Sequence, residues 1–468
     1  MKLLYIGAGF VGACSAGVMA DSGHEVLVYD IDVEKITMLG SKDRDTIEKC
    51  LFEQGLGDML LRNEKNISFT NDYDRVEKFL DSAEVIFMCL PTPEKAGAEG
   101  ESDLSYYEEA GHKLAQSLKK RNSGRQDNYV VIVNKSTVPI NMADETEKMM
   151  NEFGVKNFGV VSNPEFLVEG KAIEGSLKPD RVVVGAWNEK DFVVMRNLYQ
   201  RFYNSPTVKY LEVNPKEAAA GKLLANFILF SKLINTYDVV GRVAEYFDNV
   251  EFEKLRQILT SDERIGKWGF FNSTYAGGSC FIKDAKSLKK QLQDVGAEVA
   301  HIERMLEGND YQRENFYNRA KKEADFDYVD KKIAILGVAF KRDTNDIRNS
   351  GAIDIVAHLI NDGVKEIKVY DPAAIPMFKN LFDPTRDERY RVISYCSSEK
   401  ETLTGTDACM ILTDWPKFRA LDSVVMEVCH PPYLIMDGRR MLASNYRLLA
   451  EKGYDIIAVG SQFVKGKK

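Results

Sequence analysis

The stretch KLLYIGAGFVG near the N-terminus constrains the fold most. Gly7, Gly9 and Gly12 directly follow a short apolar run and open a helical one, with the G-x-G-x-x-G spacing of a strand–turn–helix junction. In such a junction the first glycine permits the tight turn and the second lets backbone N–H groups reach a pyrophosphate. The third lets helix and strand pack closely, with the phosphates at the helix N-terminus. Phe10 and Val11 lie inside the same loop. The following strand, in HEVLVYDID, ends at Asp30, a carboxylate suited to a ribose 2′-hydroxyl. No arginine stands beside it, so the expected cofactor is NAD rather than NADP. An ordinary glycine turn is the competing account, and the βαβ setting argues against it.

At 468 residues the chain exceeds one ordinary core, and two or three domains are expected. Short β-branched runs alternate with helical stretches through the first two hundred residues. Strands are predicted at Leu3–Ile6, Glu25–Tyr29, Val85–Cys89, Tyr129–Val133, Gly159–Val161 and Arg181–Val184. Most lack strict alternation, as parallel strands buried on both faces do. From about Pro215 apolar residues recur at helical spacing for some thirty positions, which predicts a long helix suited to a domain connector or a dimer seam. Helical texture resumes after Asp284 and runs to about Ala324.

Strand–helix alternation then returns. KKIAILGVAF at 331 echoes KLLYIGAGF at 2, and EIKVYDP at 366 echoes EVLVYDI at 25. The expected fold class is α/β: two Rossmann-like doubly wound domains joined by a long central helix. The boundaries fall at 1–213, 214–325 and 326–468. Only the first copy of the repeat keeps three glycines, so the two halves are expected to bind different things. The closing VKGKK reads as a loose tail.

Composition excludes several classes of partner. Lys plus Arg count 63 against 71 Asp plus Glu, a net charge of −8, which argues against nucleic acid or an anionic membrane as main partner. Seven cysteines without CxxC spacing argue against a disulfide framework and for a reducing, cytoplasmic setting. Five scattered histidines give no metal-ligand pattern, so no metal site is expected. MKLLYIGAGFVGACSAGVMA superficially resembles a signal peptide, but its apolar run is broken by glycines and a strand follows it. No other apolar run approaches the ~18 residues of a membrane span.

Several further segments carry polar groups where chemistry is possible. LPTP at 90–93 and KSTVP at 135–139 each follow a predicted strand, at the carboxyl edge where open α/β sheets bind ligands; Thr92 and Thr137 are contacts there or merely turn residues. In NPEFLVEG, Glu165 and Glu169 share a face if the segment is helical, as general base and orienting group or as a solvated helix start. Lys222 and Asn226, one turn apart in AAAGKLLANFILF, are ordinary surface groups unless the helix is buried. If it is, they form a cation and an amide able to stabilise an oxyanion. In AGGSCFIKDA, Cys280 follows Gly277 and Gly278 and precedes Lys283 and Asp284. That setting suits a buried small hydrophobe poorly and a nucleophilic thiolate well.

Taken in order, GAGFVG, LPTP, STVP, NPEFLVEG, PDRVVVG, the Lys222/Asn226 pair, GGSCFIKD and GVAFKRDTNDIRNS resemble the nucleotide-sugar dehydrogenases that include UDP-glucose and GDP-mannose 6-dehydrogenases. The resemblance spans nearly the whole chain, to DGRR. It implies an N-terminal Rossmann domain, a central helix forming a homodimer or larger homo-oligomer, and a C-terminal domain for the nucleotide of a UDP-sugar. It also implies oxidation of a primary alcohol to a carboxylate by two hydride transfers to NAD. On this resemblance Cys280 is the nucleophile, Lys222 and Asn226 steady an oxyanion, and Asp284 assists proton transfer. Glu165 and Thr137 position the hydrolytic water, with Glu165 as base. Glu169, Lys283 and Arg348 lie near cofactor and phosphates, and Asp30, Lys35 and Thr92 lie on the dinucleotide with the glycine loop. Phe166, Leu167, Gly277, Phe340, Lys341 and Arg439 line the nucleotide-sugar site. Arg264 matches an arginine lent across the dimer.

SCFIKD preceded by DERIG is closer to the UDP-glucose branch than to the N-acetylhexosamine branch. Tyr275 and Ala276 stand where a glycine and an aromatic are usual, and Ile282 where proline or glutamine is common. GDP-mannose or another nucleotide hexose is the nearest alternative substrate. A two-electron hydroxyacid dehydrogenase with a structural Cys280, or a dinucleotide-sensing protein without turnover, are the other classes.

Overall fold

The computed structural model describes residues 1–122 and 129–467. The chain divides into two compact units, Met1–Ala225 with Lys286–Gly296, and Asn226–Ala285 with Ala297–Lys468.

In the first unit β1 (Lys2–Ile6), β2 (Glu25–Tyr29), β3 (Ile67–Thr70), β4 (Val85–Met88), β5 (Val130–Asn134), β6 (Phe158–Ser162), β7 (Arg181–Gly185) and β8 (Lys209–Val213) form one sheet. Their order is β3-β2-β1-β4-β5-β6-β7-β8. Neighbours run parallel except β6 and β7, which meet antiparallel at Ser162 and Gly185. Side-chain alternation divides the apolar runs between two cores. Leu3, Tyr5, Val85, Phe87, Val131 and Val133 face one layer, with Ala13, Cys14 and Ala16 of the helix Phe10–Asp21. Leu4, Ile6, Ile86, Met88, Val130 and Ile132 face the other, with Tyr107, Leu114 and Leu118 of the helix Ser105–Asn122. Burial on both faces explains why these runs read as continuous apolar stretches. The strand order turns back between β1 and β4, the topological switch point at which such sheets bind ligands.

In the second unit β9 (Lys332–Leu336), β10 (Glu366–Tyr370), β11 (Ile393–Tyr395), β12 (Ala408–Ile411), β13 (Leu434–Asp437) and β14 (Asp455–Ala458) form an all-parallel sheet ordered β11-β10-β9-β12-β13-β14. The internal repeat is structural. The Gly7 N–H donates to the Tyr29 carbonyl at 2.8 Å, and the Gly337 N–H to the Tyr370 carbonyl at 2.8 Å.

The predicted long helix is present as Pro215–Ile234, continued by a π-helical segment, Asn235–Val240, and the helix Gly241–Tyr246. Contrary to the sequence expectation, the stretch Pro215–Tyr246 is long and apolar enough to cross a membrane, the only such helix among the described residues. Length and composition alone do not separate a span from a packed core helix. The buried Lys222–Glu165 ion pair on its flank argues for packing. The C-terminal stretch also differs from expectation. Val464 pairs with Ile456 in both directions, the Gly466 N–H meets the Asp455 carboxylate at 2.8 Å, and the Lys467 N–H meets the Ala450 carbonyl at 2.8 Å. A tail whose backbone groups are taken up this way is part of the domain.

Candidate active site

The glycine loop has the division of labour its spacing predicts. Gly7 has φ +102°, and a β-carbon on it would run into the Cys89 carbonyl; one on Gly12 would run into the Gly7 carbonyl. Neither position accepts a side chain. Gly9 caps the helix Phe10–Asp21, and a β-carbon there would meet nothing within 4 Å. Open space at a helix N-terminus is what a pyrophosphate needs. Asp30 accepts the Ala8 N–H at 2.7 Å and the Asp32 N–H at 3.0 Å, and pairs with Lys35 at 3.2 Å. These residues fit NAD. At the same sheet edge the Thr92 hydroxyl donates to the Thr137 carbonyl at 2.7 Å, and the Ser136 hydroxyl to the Leu90 carbonyl at 2.7 Å. LPTP and KSTVP are therefore bound to each other.

The first unit also gathers the Glu165 group. Residues 163–171 are not helical, so Glu165 and Glu169 do not share a helix face. The Leu167 N–H folds back onto the Glu165 carboxylate. Lys222 is buried rather than solvated, and its ammonium lies 3.2 Å from Glu165. Two cations lie near the Phe166 ring, the Arg181 guanidinium 3.8 Å and the Lys222 ammonium 5.4 Å from its centroid. Sequence reasoning did not single out Lys135. It is buried, donates to the Asn163 side-chain oxygen at 2.9 Å, and burial pulls its ammonium down to about 8. Asn163 in turn accepts the Tyr199 hydroxyl at 2.6 Å and donates to the Val183 carbonyl at 2.7 Å. A lysine directly after the wholly buried run Val130–Asn134 was the available signal.

In the second unit Cys280 is solvent-exposed and precedes the helix Phe281–Asp294; its carbonyl accepts the Asp284 N–H at 2.8 Å. A helix N-terminus favours the anionic form of a thiol. One turn on, the fully buried Asp284 carboxylate accepts the Asn226 amide at 2.6 Å and pairs with Lys283 at 2.7 Å. Asn226 is itself buried.

The loop before the cysteine is pinned from several sides. The Ala276 N–H donates to the Asn309 side-chain oxygen at 2.8 Å, the Gly278 N–H to the Arg348 carbonyl at 3.1 Å, and the Asn349 amide to the Gly278 carbonyl at 3.0 Å. A β-carbon on Gly277 would run into the Asn349 carbonyl, and one on Gly278 would stand 2.8 Å from the Phe340 ring. Both glycines thus admit the chain's own neighbouring loop. The unusual residues are accommodated: the Arg313 guanidinium lies 4.7 Å from the Tyr275 ring centroid, and Ala276 and Ile282 are buried. Arg439 donates to Ser273 at 2.6 Å and pairs with Asp414 at 2.6 Å, and Arg348 pairs with Asp346 at 2.7 Å. Lys341 lies 5.6 Å from the Phe340 ring centroid. Arg264 is highly exposed, pairs with Asp262, and lines a surface hollow of about 460 Å³ with Ile228, Lys232 and Phe270.

The first unit thus brings together Gly7, Gly9, Gly12, Asp30 and Lys35, and separately Glu165, Phe166 and Lys222. The second brings together Cys280, Asp284, Lys283 and Asn226, with Gly277 against the 340–349 loop. No cysteine forms a disulfide, and among the described residues no group of three or more His, Cys, Asp or Glu side chains could hold a metal ion.

Known proteins match along the whole chain. Residues 1–203 match the NAD-binding domain of the UDP-glucose/GDP-mannose dehydrogenase family, residues 216–311 its central domain, and residues 334–444 its UDP-binding domain. UDP-glucose 6-dehydrogenase TuaD of Bacillus subtilis is 30% identical, over 99% of this chain and 94% of the relative. UDP-glucose 6-dehydrogenase 4 of Arabidopsis thaliana is 31% identical, over 98% of this chain and 97% of the relative. The structure of a UDP-glucose dehydrogenase from Pyrobaculum islandicum superposes with a TM-score of 0.84 at 26% identity, covering 98% of both chains. With three consecutive domain matches and full-length relatives, the chain belongs to the UDP-glucose/GDP-mannose dehydrogenase family, whose members are NAD-dependent oxidoreductases.

Proposed function

We propose that the protein oxidises the C6 alcohol of UDP-glucose to the carboxylate, giving UDP-glucuronate, through a covalent thioester on Cys280. The observation that carries this reading is an exposed thiol at a helix N-terminus, one turn from a buried carboxylate held by an amide and an ammonium. A two-electron alcohol oxidation has no use for such a thiol. The full-length relatives named as UDP-glucose 6-dehydrogenases support the choice of sugar.

NAD, held by the Gly7–Gly12 loop and Asp30, supplies the oxidant, one hydride acceptor for the alcohol and a second for the thiohemiacetal. The chain's own groups do the rest. The alcohol proton leaves toward Asp284, through a water. The Cys280 thiolate adds to the aldehyde carbon, and the Asn226 amide and Lys222 ammonium stabilise the oxyanion that forms. After the second oxidation Glu165 takes a proton from water, the water oxygen bonds to the thioester carbon, and the C–S bond breaks to return the thiolate. Thr137 orients that water. Glu169, Lys283 and Arg348 serve the cofactor and phosphates; Phe166, Leu167, Gly277, Phe340, Lys341 and Arg439 serve the nucleotide sugar.

The three domains are taken as 1–213, 214–325 and 326–468, and the setting as cytoplasmic, from seven cysteines without CxxC spacing. The functional form is a homodimer built on the central helix, which exposes Ile228 and Val239, and Arg264 serves the partner's sugar. Mixed dimers of Arg264→Ala and Cys280→Ala chains are then expected to regain activity through one intact site; confirmed hybrids without activity would remove that role. A panel of UDP- and GDP-sugars scored for NADH yield tests the substrate. UDP-glucose is expected to exceed every GDP-sugar by at least about tenfold in kcat/KM, and a GDP-sugar in first place would overturn the assignment.

A further inference from the structure

The loop 163–171 carries Glu165, Phe166, Leu167 and Glu169 with no regular secondary structure of its own. Such a segment holds a side chain in reacting geometry only if its supports are rigid. One end is fixed by Asn163, bound to Lys135, Tyr199 and the Val183 carbonyl. The other end is met by a residue from far earlier in the chain. Glu53, 1% exposed, lies just past the helix Arg44–Leu51. One of its carboxylate oxygens accepts the Gly170 N–H at 3.0 Å, and the other accepts the Ile173 N–H at 3.2 Å.

Gly170 has φ +82°, a left-handed turn that glycine adopts without strain. The two bonds straddle that turn and the start of the helix Ala172–Leu177. Burial raises the Glu53 carboxyl above its usual range, against the pull of the backbone N–H groups, with the neighbouring Glu169 adding to the rise. Both N–H groups need an acceptor at this turn, and Glu53 supplies both bonds from one side chain.

We infer that Glu53 is a positioning residue for thioester hydrolysis, which anchors the far end of the 163–171 loop and so fixes where Glu165 presents its carboxylate to water. This rests on the assignment of Glu165 as the hydrolytic base. Glu53 touches none of the reacting atoms; it acts through Gly170 and Ile173.

The test compares full-length Glu53→Gln, Glu53→Asp and Glu165→Gln with the wild type, using UDP-glucose and NAD. Hydrogen exchange of the 164–173 amides, the NADH time course and the intact mass of the quenched enzyme are recorded. Glu53→Gln is expected to speed exchange in 164–173 alone. It is also expected to give a burst of NADH, a steady rate lower by on the order of 10²-fold, and a UDP-glucuronyl adduct on Cys280. KM for NAD stays within about threefold of wild type, since the dinucleotide loop is untouched. Glu53→Asp, a methylene shorter but still charged, gives a smaller burst and serves if the Gln variant does not fold. A rate loss that follows Tm, with no adduct in either Glu53 variant while Glu165→Gln traps one, reduces Glu53 to a structural cap and overturns the inference. If Glu165→Gln traps no adduct either, the failure is that of the Glu165 assignment, and the inference falls with it.

Discussion

At the end of β1 and at the end of β9 the chain makes the same turn, and the two turns serve different ends. Gly7 (φ +102°) and Gly337 (φ +93°) each begin it, and an aspartate after the next strand accepts the N–H of the residue that follows the glycine. Asp30 takes Ala8 and Asp32; Asp371 takes Val338 and Ala339 at 2.8 and 3.0 Å. Asp371 then goes further. It is 3% exposed and also accepts the N–H groups of Ala373 and Ala374 and the indole of Trp415. Five donors exhaust the roughly four lone-pair sites of a carboxylate, so nothing remains for a ligand. Ala339 stands where the first turn has Gly9, and its carbonyl is covered by the Thr413 hydroxyl at 2.6 Å. One copy of the device is an open cradle and the other a closed knot. A shared strand–turn–strand pattern therefore establishes fold; function depends on which hydrogen-bonding capacity is left over.

Asp371→Ala separates the two uses most sharply. It leaves buried donors unpaired at a cost of about 3–5 kcal/mol, and Tm is expected to fall by on the order of 10 °C. An unchanged Tm with weakened substrate binding would mean that the second turn is a ligand site after all. Asp30→Ala should do the reverse, with KM for NAD raised on the order of tenfold or more and Tm moved by only about 2 °C. Gly9→Ala adds a methyl group to empty space, so KM for NAD should rise by several-fold, roughly, with no measurable change in Tm. A Tm loss there would show that the cradle is packed rather than open.

The smallest effect concerns Lys135, the buried cation at the first sheet's edge. Its folded value, about 8, lies below that of the unfolded chain. As pH rises through it, the folded protein releases a proton that the unfolded chain retains, so stability increases with pH above about 8. The gain should be on the order of 1 kcal/mol between about pH 8 and pH 9, read from urea midpoints, and Lys135→Met should flatten it. A wild-type slope of the opposite sign would contradict the burial of a charged lysine.

Much of this was legible in the sequence wherever local chemistry and long-range structure coincide. The Gly7–Gly12 loop and Asp30 were readable because turn, strand and helix are all local. The repeat was readable because both copies keep their strands. In the first sheet β3 and β8 were missed: Ile67–Thr70 is short, and Lys209–Val213 exposes much of its length, so neither shows a clear apolar period. The burial of Lys222 and Asn226 could not be read at all, since it depends on groups 57 and 58 positions away, Glu165 and Asp284. Glu53 left no signal for the same reason. Its partners lie 117 and 120 residues later, and they are backbone groups that no residue type announces.

The central claim is that Cys280 holds the sugar between two oxidations. Its most direct test is the ratio of NADH formed to UDP-glucose consumed, measured for the wild type and for Cys280→Ala. The account predicts two NADH and one UDP-glucuronate per sugar for the wild type, and loss of carboxylate formation with retained NAD binding for the variant. One NADH per sugar in the wild type, or an unchanged rate and ratio in Cys280→Ala, would contradict it.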